Sequence, residues 1–147
     1  MVVSNDILIP ELARLLSEEK EVRFTPSGIS MRPFIEGDKD SVILAPLKRA
    51  PRRGDILLAR ARTPENKPLY VLHRVLRIEG TKTNPIIVLQ GDGNLSGEER
   101  CHQEDIIGRV VRIEAPSGRR KLLSRGTLWL VLKPFRKWLL KVYRKML

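Results

Sequence analysis

Three residues of this chain have the types and settings of an acyl-transfer site: Ser30, His73 and Asp92. Ser30 lies in Gly28-Ile29-Ser30-Met31-Arg32-Pro33. A nucleophilic serine must stand on a tight bend, with a backbone N–H placed to hold an oxyanion. Gly28 permits close backbone approach and Pro33 fixes the exit of the loop. A serine also needs a base. The stretch "LYVLHRVLRI", Leu69 to Ile78, reads as a strand with Val71, His73 and Val75 on one face and Leu72 and Arg74 on the other. A histidine on an apolar side can be held neutral, and a neutral imidazole, with an ordinary pKa of about 6.5, is a suitable general base near pH 7. Asp92 stands between two glycines in "LQGDGN", where its carboxylate could accept the other ring N–H and fix the tautomer. On the residues alone, the same three positions also read as a Gly-Ser-Pro loop, a half-buried strand histidine and a turn aspartate.

The elements that must position these residues follow from periodicity and breakers. Ile7 to Lys20 reads as a helix with Leu8, Leu12, Leu15 and Leu16 on one side and Pro10 in its first turn. Short strands are expected near Val22–Thr25, Ser41–Pro46, Asp55–Ala61, Leu69–Ile78, Ile86–Leu89 and Ile106–Ile113. Between them lie "EGDKD", "KRAPRRG", "RTPENKP", "EGTKTNP" and "GDGNLSGEE", all rich in turn formers. The expectation is a mainly β, compact antiparallel fold with a short N-terminal helix and a basic amphipathic C-terminal helix.

The motif "GISMRP" resembles the serine box of type I signal peptidases and their relatives, the self-cleaving SOS and phage repressors. Further segments follow in that family's order, over about Val22 to Ile113. "RRGDILLA" (Arg52–Ala59) is similar to the G-D box, "LYVLHRVLRI" to the base box, "LQGDGN" to the G-D-N box and "EDIIGRVVRI" (Glu104–Ile113) to the closing strand. The resemblance implies Ser30 as nucleophile and His73 as general base. A histidine there, rather than lysine, resembles the eukaryotic-reticulum, archaeal and spore-former branch. It further implies Asp92 as a third member of the site and the Ser30 N–H as main oxyanion donor. A hydroxyl that some members use as second donor falls at Gly28, with Ser27 one residue back as a weak substitute. The family also implies an extended substrate strand with small side chains near the cut bond. Two departures mark a minimal, stand-alone relative: a polar helix where the family usually has a membrane anchor, and no long inserted β domain. A self-cleaving repressor is disfavoured, because 29 residues precede Ser30, no Ala-Gly dipeptide is present and the base is not lysine.

Composition limits the remaining classes. The 147 residues, 41% apolar and 31% charged, fit one soluble domain with a real core. A single cysteine, Cys101, excludes an internal disulfide, and the adjacent Cys101 and His102 lack the ligand spacing of a zinc site. No cofactor or metal is expected. The net charge is +11, and ten Lys and Arg with no Asp or Glu lie from Arg119 to Leu147. A near-neutral domain, residues 1–118, therefore carries a basic tail, and nucleic acid is not expected as a partner. Apolar residues from Leu128 recur at steps of three and four, Trp129 and Trp138 stand where an interfacial helix would place them, and Pro134 is expected to kink or restart the helix. Peripheral binding to an anionic membrane, packing on the domain, and nucleic-acid binding stay open for this segment, in that order. No secretory signal or transmembrane run is visible, which points to the cytoplasm, peripheral to a membrane through the tail.

The expected function is a serine endopeptidase acting on a leader-like or signal-like peptide segment. The alternative is a non-catalytic β-fold binding module that its tail tethers to a membrane or an acidic partner.

Overall fold

The computed structural model describes residues 8–94, 96–121 and 135–147. Helix α1 (Leu8–Ser17) is followed by strands β1 (Val22–Phe24), β2 (Ser41–Ala45), β3 (Ile56–Arg62), β4 (Pro68–Gly80), β5 (Pro85–Gln90), β6 (Glu99–Cys101), β7 (Ile106–Glu114) and β8 (Arg120–Lys121), and by helix α2 (Arg136–Met146). The protein is mainly β. Its antiparallel sheet runs β1-β2-β7-β3-β4-β5-β6, with β8 on β7. A further pairing, Arg62 opposite Arg100, returns β6 to β3. Strands β3, β4, β5 and β6 thus close into a small ring.

Strand alternation sorts the apolar residues into two cores. Leu57, Ala59 and Ala61 of β3, Val71 and Val75 of β4, Ile87 and Leu89 of β5, and Cys101 of β6 form one cluster. The opposite residues of the same strands, Ile56, Leu58 and Leu72, join Ile9, Leu12 and Leu16 of α1, Met31 and Ile35 of the serine loop, and Val110 and Ile113 of β7. Each fully buried leucine or isoleucine contributes about 1.5–3 kcal/mol. Strand β4 is therefore covered on both faces, and His73 shares the face of Val71 and Val75.

Six expected strands are present within a few residues of their anticipated bounds. Two strands were not expected. Strand β6 follows directly on the Gly-rich turn, and its first residue, Glu99, ends the stretch read as a break. Strand β8 falls inside the segment assigned to the tail, where Lys121 reaches Asp40 at 2.7 Å. Helix α1 ends at Ser17 rather than Lys20, because Glu19 takes a left-handed conformation (φ 59°). The anticipated helix start at Ile7, and the tail positions Leu128, Trp129, Val131, Leu132, Lys133 and Pro134, lie outside the described residues. Among the described residues, no helix is long and apolar enough to cross a membrane.

Candidate active site

The serine loop joins β1 to β2 and is tied at its neck. Thr25 Oγ1 lies 2.9 Å from Ser41 Oγ, and the Asp38 N–H donates to the Pro26 carbonyl at 2.8 Å. Ser27 Oγ donates to Asp38 Oδ1 at 2.7 Å. Gly28 has φ 100°, and a Cβ on Gly37 would run into the Gly28 carbonyl, so the two arms of the loop touch through glycine backbone. Met31 and Ile35 are fully buried and anchor the loop in the first core. Between these fixed points the chain turns tightly, with the Arg32 N–H on the Ile29 carbonyl at 3.1 Å.

Ser30, on that turn, meets His73 of β4: Oγ and Nε2 are 3.0 Å apart. The other ring nitrogen, Nδ1, lies 2.9 Å from Glu99 Oε2 of β6. The structure thus lines up serine, imidazole and carboxylate in series, the arrangement in which a base is oriented by a third group. His73 is 3% exposed. Burial pushes its pKa below the ordinary histidine value, and the hydrogen bond to Glu99 only partly opposes this. The imidazole is consequently neutral at pH 7, with Nδ1–H donated to Glu99 and Nε2 free to accept from Ser30 Oγ.

Asp92 has a different partner from the one its sequence setting suggested. Asp92 does not hold the ring; its carboxylate is taken by Arg74. Arg74 Nε donates to Oδ1 at 2.8 Å and Nη2 to Oδ2 at 2.9 Å, and both side chains are about 1% exposed. Arg74 neighbours His73 in sequence and points to the opposite face of β4, so a partner of Arg74 is carried away from the imidazole. Arg74 Nη1 also donates to the Gly54 carbonyl at 2.8 Å, and its guanidinium lies 5.0 Å from the Phe34 ring centroid. The G-D turn that supplies this carbonyl is itself held: Arg49 makes two 2.9 Å bonds to Asp55, and the Arg52 N–H donates to Asp55 at 2.8 Å. Burial pushes the Asp55 carboxyl up, but these donors outweigh it and hold it below its usual value.

Asp92 instead fixes the turn that touches the serine. The Gly93 N–H donates to the Ser30 carbonyl at 2.7 Å, and the Asp92 N–H points to Met31 Sδ at 3.5 Å. A Cβ on Gly91 would meet the Ser30 carbonyl and lie 3.0 Å from His73 Nε2 and 2.9 Å from Asn94 Nδ2. Only glycine fits there, and the Asn94 carboxamide faces the same small space as the dyad. Ser27 and Gly28 serve the neck of the loop. The Ser27 hydroxyl, bound to Asp38, does not supply the second oxyanion donor considered for it.

Glu99 and Arg74 were missed as members of the site. The available signal for Glu99 was its place two residues before Cys101, which on a strand puts both on the ring side. Cys101 itself is buried, and burial first, then Asp105 and Glu104, pushes its thiol up to about 12, so it stays an unreactive core residue. Comparison of the chain with protein families, characterised proteins and solved structures finds no match.

Proposed function

We propose that this protein is a serine endopeptidase that cuts a leader-like or signal-like peptide, with Ser30 as nucleophile and His73 as general base. The observation that carries the reading is the continuous chain Ser30 Oγ, His73 Nε2, His73 Nδ1, Glu99 Oε2, with contacts of 3.0 and 2.9 Å. Its order and burial match what acyl transfer requires, and the resemblance of the serine, base and G-D-N segments to signal peptidases supports the same assignment.

In this reading Ser30 Oγ attacks the scissile carbonyl carbon as its proton passes to His73 Nε2. Glu99 stabilises the imidazolium through the Nδ1–H. The C–N bond breaks as His73 returns the proton to the leaving amine, leaving an ester on Ser30. Water then attacks the ester, His73 takes its proton, and as the ester C–O bond breaks His73 returns that proton to Ser30 Oγ, releasing the acid and restoring both residues. The oxyanion of each tetrahedral intermediate is held by the Ser30 N–H and by Asn94 Nδ2. The carboxamide takes the place of the hydroxyl that glycine at position 28 cannot supply.

Acylation by a small activated ester tests the assignment whatever the natural substrate is. Intact-mass and peptide-mapping spectra should place one acyl group on Ser30 in the native protein, and none there in His73→Ala. Acylation of Ser30 at equal rate in His73→Ala would contradict the role of His73.

A further inference from the structure

Helix α2 has one apolar arc and covers only part of it. Leu140 is buried, and Leu139 and Tyr143 are half-buried. The Tyr143 hydroxyl donates to Glu36 Oε2 at 3.4 Å, and Glu36 in turn binds Arg32 at 2.7 Å. The helix is therefore seated on the segment that follows Ser30. The rest of the arc is bare. Phe135 is 61% exposed, Trp138 64%, Val142 38% and Met146 80%, and their steps of three, four and four put them on one face. Lys137, Lys141, Arg144 and Lys145 are exposed around the remaining circumference, and α2 contains no acidic residue.

We infer that this bare face docks on an anionic phospholipid bilayer and lays the protein on the membrane with the serine loop beside it. An apolar stripe with tryptophan, bordered by cations, buries its apolar side at the acyl boundary while its cations stay among the head groups. The charge selects anionic lipid: ten of the eleven net positive charges lie between Arg119 and Leu147. A second copy of the chain fits this face poorly, because pairing two such helices would bring their cations together. Nucleic acid would use the cations and leave the apolar stripe uncovered. Each cation near such a surface adds about fivefold to the affinity, and salt screens that gain. The inference rests on the exposed face of α2 and the basic C-terminal sequence and does not depend on the peptidase reading.

The experiment is flotation of the full chain with vesicles of phosphatidylcholine alone and of phosphatidylcholine with phosphatidylglycerol. Two double variants change only exposed side chains, Trp138→Ser with Val142→Ser and Lys141→Glu with Lys145→Glu; a thermal melt checks their fold. The native protein should float with the anionic vesicles, stay behind with the neutral ones and be released by added salt. The charge reversal should weaken binding about 20-fold or more, and the serine pair about tenfold or more. Ser30→Ala should float like the native protein, which separates this result from the fate of the dyad. The inference is overturned by no flotation on anionic vesicles at low salt. It is overturned equally by native-like binding of the serine pair, or by tight binding to duplex DNA with none to vesicles.

Discussion

Glu99 Oε2 accepts the Nδ1–H of His73 at 2.9 Å, across the interior of the β3–β6 ring. That contact gives His73 its tautomer, and it makes Glu99 and Asp92 experimentally separable. Glu99→Gln keeps the shape of the side chain and removes the charge that steadies the imidazolium. Peptidase turnover should fall by roughly 10²–10⁴-fold. Glu99 also raises the His73 pKa, against the larger lowering by burial. The acid limb of the pH–rate profile should therefore move to still lower pH in Glu99→Gln. Asp92 raises the His73 pKa too, but less than Glu99 does, so Asp92→Asn should move that limb the same way by a smaller step.

Asp92 should matter for stability instead. Removing its carboxylate leaves the Arg74 guanidinium, buried at about 1% exposure, without the opposite charge of Asp92. Asp92→Ala should cost about 3–5 kcal/mol in urea unfolding. Replacing both members, Arg74→Met with Asp92→Leu, should recover part of that loss. A loss below about 1 kcal/mol in Asp92→Ala would contradict the structural role given to the pair.

The lowered pKa of His73 has two consequences of fixed sign. A neutral base acts above its pKa, so activity should persist at pH 6.5 and fall only at lower pH, as His73 gains its proton. On unfolding, His73 returns to an ordinary pKa of about 6.5 and binds a proton more readily than in the fold. The stability contributed by this difference is complete above about pH 6.5 and is lost as pH falls from there through the folded value. His73→Gln should flatten the pH dependence of the urea midpoint in that window, which a titration between pH 7.5 and 5 would measure.

Gly91 and Asn94 test the floor of the site. Gly91→Ala would press a methyl group against the Ser30 carbonyl and the imidazole. It should abolish acylation and cost about 1–3 kcal/mol through local overpacking. Asn94→Ala removes one donor from the same space, so kcat should drop by about 10²-fold while the fold is kept. An unchanged kcat in Asn94→Ala would leave the Ser30 N–H without the second donor assigned to it.

Much of this was legible in the sequence for a simple reason. Period-two alternation in Leu69–Ile78 places His73 and Arg74 on opposite faces, and glycine and proline mark the turns. Ser30 and His73 are far apart in sequence, and what paired them as candidates was the resemblance of their two segments to the serine and base boxes of signal peptidases. The third partner was harder to read. Asp92, flanked by glycines, has the look of a site carboxylate, but its direction depends on Arg74, which a one-dimensional pattern does not connect to it. Glu99 sits at the start of a three-residue strand after a Gly-rich turn, where its two-residue spacing from Cys101 is the whole of the alternation signal. Its role appears only when β6 closes against β5 and β3 and brings residue 99 opposite the imidazole. The α2 stripe was visible by spacing. Which part of it is covered depends on the contact of Tyr143 with Glu36, more than a hundred residues earlier.

The most direct test of the central claim is cleavage of a proteome-derived peptide library, read by mass spectrometry of the new ends. Native protein should produce a set of cuts at one recurring sequence context. Ser30→Ala and His73→Ala, both folded by thermal melt, should produce none of them, and Glu99→Gln the same cuts at a much lower rate. Cuts that persist at the native rate in Ser30→Ala would contradict Ser30 as the nucleophile.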